Sequence, residues 1–262
     1  MPLLLLKLLL TPLIVGGASL AARRWGPSIG GWIVSLPLTS GPVLFFLALE
    51  QGPQFAADAT VGTVLGLLGI CGYTVGYLAG SHRGAAAALG AATLGYVLVG
   101  IGVQPVTGAP FFVLVAIVVA AIAGVIQLLP APNGPSAPRV HPAWDLPARI
   151  AVGTALVVGL TTIAPNLGPV ASGIVATFPA YVSVLAVFEH VHGGRAAGLG
   201  TLRGLLTGLF GTVAFHVVIR TMVVPYGIAV AFPVAIAVTG VIGGLALRRV
   251  RAGLVAPGPE AM

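Results

Sequence analysis

The chain lacks most of what a water-soluble protein needs. Only 6% of its 262 residues are charged, whereas a typical soluble domain has about 25%. Five residues are Asp or Glu, and one, Cys71, is cysteine. The scarcity of charge excludes an ordinary soluble domain, and a single cysteine in an apolar run excludes a disulfide framework and a cysteine-based metal site. A carboxylate metal site needs several converging acids and is also disfavoured.

Apolar residues and glycine fill the sequence instead. Hydrophobic residues make up 58% and glycine accounts for 38 positions. At about 20 apolar residues per crossing, we expect an all-α integral membrane protein with about nine transmembrane helices. The predicted spans are 3–22, 28–50, 57–80, 84–104, 109–130, 146–165, 169–191, 196–220 and 226–247.

The sequence repeats itself without a gap at a shift of 142 residues. Seven of the matched pairs are Gly–Gly, from Gly17 with Gly159 to Gly69 with Gly211, where chance predicts about one or two. At this shift Pro27 aligns with Pro169, and Pro37 aligns with Pro179. Two copies of one four-helix unit are therefore predicted.

The arginines predict how the copies are oriented. With nine spans, most arginines fall on one side of the membrane, which marks it as cytoplasmic. The N-terminus is then outside and the C-terminus cytoplasmic, and the repeats are inverted. The predicted units are repeat one at 1–104, a linking helix and loop at 105–145, repeat two at 146–248, and a cytoplasmic tail at 249–262. The arginines on the cytoplasmic side are Arg23, Arg24, Arg83, Arg139, Arg149, Arg195, Arg248, Arg249 and Arg251.

Residues 172–206 resemble a known family. The segment Gly173-Ile174-Val175, followed by Phe178-Pro179, Glu189 and Arg195, is similar to the small GlpM-like bacterial inner-membrane proteins, which are about one repeat long. The resemblance implies a four-helix inner-membrane unit that can pair with itself. It implies no established activity.

Proline-rich segments at equivalent positions predict a paired interruption in helices two and seven. They are segments 35–42 and 177–183. Proline frees a carbonyl upstream that must find a partner or line a polar cavity, and matched interruptions in inverted repeats point to a binding site. A kink whose carbonyl is bound by a neighbouring hydroxyl is the alternative. The substrate-binding hydroxyls are predicted to be Thr39, Ser40, Tyr181 and Ser183.

Four ionisable residues lie in predicted spans or at their ends, where burial is costly and function is a default hypothesis. Glu189 and His192 share a helix face and are predicted, with His216, to couple protons. Arg203 is predicted to attract an anionic substrate. The alternatives are a solvated helix end with a Glu189–Arg195 pair, a packing histidine, and an arginine that snorkels to the interface.

The favoured function is alternating-access transport of a small solute or lipid-linked substrate, with proton coupling, in a bacterial inner membrane. The main alternative is a non-transporting accessory or scaffold protein for an envelope or metabolic enzyme. An intramembrane acid–base enzyme is a third option, but no enzyme motif is found and none is predicted. Expected partners are the bilayer and the substrate, with self-association into a homo-oligomer open. No cofactor, metal or nucleic acid is expected.

Overall fold

The computed structural model describes residues 2–37, 40–50, 52–103, 108–130, 143–163 and 178–255. These residues form an all-helical structure with no strands. Five of its helices are long and apolar enough to cross a bilayer, which is compatible with a membrane protein. They cover 53–83, 85–102, 111–128, 180–226 and 228–246.

Nine α-helices are described in chain order. Their bounds are α1 Pro2–Trp25, α2 Pro27–Ser35, α3 Ser40–Glu50, α4 Pro53–Gly80, α5 Ala85–Gly102, α6 Phe111–Leu128, α7 Asp145–Ile163, α8 Ala180–Tyr226 and α9 Ile228–Val255.

Helix α8 is two helices in succession. Its 47 residues would span about 70 Å at 1.5 Å per residue, roughly twice a bilayer. The helix is interrupted at Gly194, whose φ of 76° lies in the left-handed region that only glycine adopts without strain. We name residues 180–193 α8a and residues 195–226 α8b. At the 142-residue shift, Gly194 corresponds to Gly52, which has φ 92° between α3 and α4.

Two helical hairpins contribute to the core. Helices α4 and α5 pack antiparallel after a 3₁₀ turn at Ser81–Arg83, and α8b and α9 are joined at Gly227. The apolar core is formed mainly by α4, α6 and α8b. Its fully buried members include Val64, Tyr73, Tyr77, Val118, Ile122, Leu202 and Leu206.

Glycine allows close helix contact, as small residues do between membrane helices. Helix α2 runs parallel to α8b, with Ser28 beside Gly204 and Ser35 beside Gly208. A Cβ added to Gly204 would lie well within contact distance of the Ser28 carbonyl oxygen. Gly69 packs on the Tyr96 ring, whereas Gly62 has nothing within 4 Å. Gly69, Gly204 and Gly208 therefore lie at close helix contacts.

Helices α1 and α7 run antiparallel. Arg23 near the end of α1 pairs with Asp145 at the start of α7, and Gly16 lies beside Ile150 further along. The two helices occupy the same place in the two sequence repeats. Their contact brings the arginines at the end of α1 next to the beginning of α7.

Candidate functional site

The second predicted helix is interrupted where the prolines indicate. Helix α2 ends at Ser35 and α3 begins at Ser40, because Pro37 has no N–H to continue the hydrogen-bond ladder. The carbonyl of Ser35, the last residue of α2, accepts a hydrogen bond from Thr212 Oγ1 of α8b at 2.5 Å. The Ser35 hydroxyl donates to the Trp32 carbonyl at 2.6 Å. A neighbouring helix therefore supplies a hydrogen-bond donor to the carbonyl at the end of α2.

Replacing Thr212 with valine tests that contact. Valine keeps the shape and removes the donor, which leaves the buried Ser35 carbonyl without this partner. We expect the free energy of unfolding to fall by about 1–3 kcal/mol, measured by denaturant titration in mixed micelles. Thr207→Val is the control, because Thr207 bonds only within its own helix, to the Arg203 carbonyl. Equal losses in both variants would contradict the bridging role.

The equivalent position in the second repeat lies directly before α8a. Phe178 and Pro179 are non-helical, and the helix begins at Ala180. The Ser183 hydroxyl donates to the Pro179 carbonyl at 2.9 Å and accepts from Tyr73 Oη of α4 at 2.8 Å. Phe178 stacks edge-on against Tyr73 and Tyr96. Residues 164–177, which precede this point, lie outside the described residues.

The predicted substrate hydroxyls that the structure describes lie beside the non-helical segments at Leu36–Pro37 and Phe178–Pro179. Ser40 begins α3 and is half-buried, Tyr181 is half-buried in the first turn of α8a, and Ser183 is fully buried against Tyr73. Thr39 lies outside the described residues. Ser183 is therefore held in a hydrogen-bonded pair, and its role in binding a substrate stays a prediction.

Arg203 lies away from both interruptions. Its Nη1 donates to the carbonyls of Ile126, Leu129 and Pro130, at 3.2, 2.9 and 3.3 Å. The last carbonyls of a helix have no partner within it, and a cation there also complements the helix dipole. Arg203 thus ties the C-terminal end of α6 to α8b.

The Arg203 contact predicts a structural effect. Arg203→Met should lower the free energy of unfolding by about 1–2 kcal/mol, because three carbonyls lose a charged donor. Arg203→Lys keeps the charge and should retain about half of the stability. Tryptophan fluorescence during thermal unfolding in detergent would measure both. A methionine variant as stable as the parent would exclude this role.

His216 is completely buried in α8b. Its Nδ1 donates to the Thr212 carbonyl at 2.7 Å, and its Nε2 has no hydrogen-bond partner among the described residues. Three residues precede His216 at four-residue spacing and face α2, namely Gly204, Gly208 and Thr212. Phe215 lies against Gly41 at the start of α3. His216 therefore lies at the level of the first interruption.

A buried ionic cluster joins α1, α7 and α8a. Arg149 and Asp145 are wholly inaccessible and Glu189 is 2% exposed. Arg149 Nε donates to Asp145 Oδ2 at 3.0 Å, and Nη1 donates to Glu189 Oε1 at 2.9 Å. Arg23 Nη2 reaches the same Asp145 oxygen at 2.6 Å. The cluster is defined by Arg23, Asp145, Arg149, Glu189 and His192.

The two histidines near Glu189 face different helices. His192 Nδ1 lies 3.3 Å from Asp145 Oδ1 and 2.9 Å from the Phe188 carbonyl. His190 Nδ1 lies 3.1 Å from Tyr77 Oη of α4. Glu189 and His192 thus meet in one cluster, whereas His216 belongs to the region of the first interruption.

The environment of Glu189 is not that of a solvated helix end, the alternative interpretation of the sequence. It is buried and pairs with Arg149, while Arg195 donates to the Ser81 hydroxyl at 2.8 Å. The expectation of a Glu189–Arg195 pair is therefore wrong. Burial of a carboxylate requires a cation in contact, and α7 supplies it from 40 residues away.

Sequence reasoning missed Arg149 as a site residue because it was counted with the cytoplasmic arginines. One signal was present: the 142-residue shift pairs Arg149 with Lys7, so both repeats carry a base at that position. The shift also pairs His192 with Glu50.

Comparisons with known proteins do not assign the chain to a family. No family model, no curated protein and no solved structure matches this chain. Among the described residues, no group of three or more His, Cys, Asp or Glu is placed to hold a metal ion.

Proposed function

We propose that the chain is a membrane transporter that moves a small solute or lipid-linked substrate by alternating access. The observation that carries the proposal is the non-helical backbone at Leu36–Pro37 and at Phe178–Pro179, one repeat shift apart. Non-helical backbone at membrane depth is tolerated where it is buried in protein or lines a cavity. Transporters use such matched breaks to build their substrate sites.

Contacts at the interruptions support two repeats related by a two-fold axis. Tyr73 contacts Ser183, and the shifted counterparts of these residues, Phe215 and Gly41, also contact each other. Reciprocal pairs of this kind are what a two-fold axis produces. The repeats are inverted in our proposal, because α1 and α7 hold equivalent positions and run antiparallel.

The proposed topology has nine crossings in a bacterial inner membrane, with the N-terminus outside. Arg195 and Arg220 are separated by about 37 Å along α8b, which is enough to cross a bilayer. Arg195 therefore lies on the inner side, and Arg220 with its partner Asp58 lies on the outer side. The resemblance to GlpM-like proteins agrees with a duplicated four-helix unit. Glu189 and His192 couple protons at the cytoplasmic end.

Equivalent turns of the two repeats test the inversion. His82 and Tyr226 are both exposed and adjoin the matching turns before α5 and α9. Single cysteines at these positions, in a Cys71→Ala background, would be treated with a membrane-impermeant maleimide on intact cells. Labelling of Tyr226→Cys alone, with His82→Cys reacting only after permeabilisation, is expected. Identical behaviour of both positions would refute inverted repeats.

A second experiment separates transport from the scaffold function. Full burial of Ser183 and His216 favours a scaffold, because a transporter must expose its site in part of its cycle. Ser183→Cys would be treated with a small water-soluble maleimide in right-side-out and inside-out vesicles. Alternating access predicts reaction from both sides, whereas a dry scaffold core predicts reaction from neither.

A further inference from the structure

One buried nitrogen of Arg149 is not used by the ionic cluster. Nε binds Asp145 and Nη1 binds Glu189, while Nη2 is shielded from solvent and has no hydrogen-bond partner among the described residues. An unsatisfied buried N–H is expensive, particularly on a charged group. Arg149 is itself wholly buried and keeps one donor unused, and it is therefore a candidate for binding a further group.

We propose that Arg149 binds the anionic group, a carboxylate or phosphate, of the substrate, and that the anion replaces Glu189, which takes up a proton. This inference rests on the transport function proposed above. Glu189 occupies Nη1 through one oxygen, Oε1. An anion with two oxygens would bind Nη1 and Nη2 together, in the bidentate geometry that guanidinium favours. Asp145 would keep its contact with Nε.

The charges of the described cluster favour uptake of a proton. In the described cluster, two guanidiniums, of Arg23 and Arg149, face two carboxylates, of Asp145 and Glu189. A monoanion would add one negative charge where uncompensated charge is costly. One proton from the cytoplasm restores the balance: Glu189 changes from carboxylate to neutral acid, and the anion takes its place as the counter-ion of Arg149.

The position of each carboxyl in its helix selects Glu189 as the proton acceptor. Asp145 is the first residue of α7, where the helix dipole favours negative charge, and contacts two guanidiniums. Glu189 lies near the C-terminal end of α8a, where the dipole disfavours it. The other titratable groups nearby are His192, beside Asp145, and His190, which is bonded to Tyr77 of α4.

The test uses the full chain in detergent, with lactate and dimethyl phosphate as probes. Both are monoanions from pH 6 to 8, so any pH dependence belongs to the protein. Erythritol is the neutral control. Anion-dependent rises in melting temperature, followed by tryptophan fluorescence, should give apparent affinities that weaken by about tenfold per pH unit, as uptake of one proton per anion requires. Dihexanoyl phosphatidylglycerol tests whether a lipid phosphodiester is preferred to the free anions.

Two variants separate the roles of Arg149 and Glu189. Glu189→Gln mimics the protonated state and should bind the anions at pH 8 as tightly as at pH 6. The double variant Arg149→Gln/Glu189→Gln keeps the described charges balanced and should lose the response to all three anions. Arg83→Gln removes an exposed arginine and should change nothing.

Several results would overturn the inference. They are a failure of all three anions to stabilise the parent, an equal response to erythritol, a response retained by the double variant, and pH dependence retained by Glu189→Gln. Uptake of the same probes into proteoliposomes judges transport separately. If the anions bind with proton uptake but are not transported, the anion site stands and the transport function is refuted. If erythritol alone is transported, the transport function stands and the anion site is refuted.

Discussion

Arg149→Met should destabilise the protein by about 3–5 kcal/mol, because it removes the cation from two buried carboxylates. Asp145 keeps Arg23 at 2.6 Å, but Glu189 loses the guanidinium 2.9 Å away. Methionine fills most of the volume of the arginine stem, so packing changes little. The free energy of unfolding would be measured by denaturant titration in mixed micelles.

A second substitution shows whether charge is the cause. Arg149→Met/Glu189→Met removes both partners, and replacing a buried ion pair with apolar residues is often neutral. The double variant should therefore recover most of the loss. Arg220→Gln is the matched control, since it also breaks an Arg–Asp pair, but one that is exposed, and its effect should be far smaller. If the double variant is no more stable than Arg149→Met, unpaired charge is not the cause.

Local chemistry explains why the interruption between α2 and α3 could be predicted. Pro37 acts on its own helix, by removing a donor and obstructing the preceding turn, and Pro179 lies directly before the start of α8a, so these positions need no tertiary information. The same is true of Gly52 and Gly194, where the backbone adopts a conformation that other residues avoid. Apolar length predicts crossings in the same way, and six of the nine predicted spans overlap one of the five candidate crossings in the described residues, since 180–226 covers two of them.

Tertiary pairing explains what could not be predicted. Glu189 is flanked in sequence by His190, His192 and Arg195, which suggested a local solvated group. Its partner Arg149 comes from another helix, and Arg195 instead turns toward Ser81 of the α4–α5 turn. Arg203 likewise meets the carbonyls of α6, about 75 residues away. Sequence spacing fixes which residues share a helix face, but it does not fix which helix that face meets.

The other large effect is expected from Gly204→Leu. Helix α2 approaches α8b so closely that even a methyl group on Gly204 would collide with the Ser28 carbonyl oxygen, and Gly31 opposite meets the Thr201 carbonyl in the same way. Backbone atoms cannot move aside as a flexible side chain does. The helices would have to separate, which would also break the Thr212–Ser35 hydrogen bond beyond. We expect a loss of about 3 kcal/mol or more.

The duplicated sequence supplies the matched control. Gly62 is the counterpart of Gly204 at the 142-residue shift, lies within α4, and has nothing within 4 Å. Gly62→Leu should stabilise α4 slightly, by about 0.5–1 kcal/mol, because leucine favours the helix over glycine. Denaturant titration of both variants would separate the two positions. A Gly204→Leu protein that unfolds like Gly62→Leu would mean that α2 does not lie against α8b, and the hydrogen bond that closes the first interruption would then have no geometric basis.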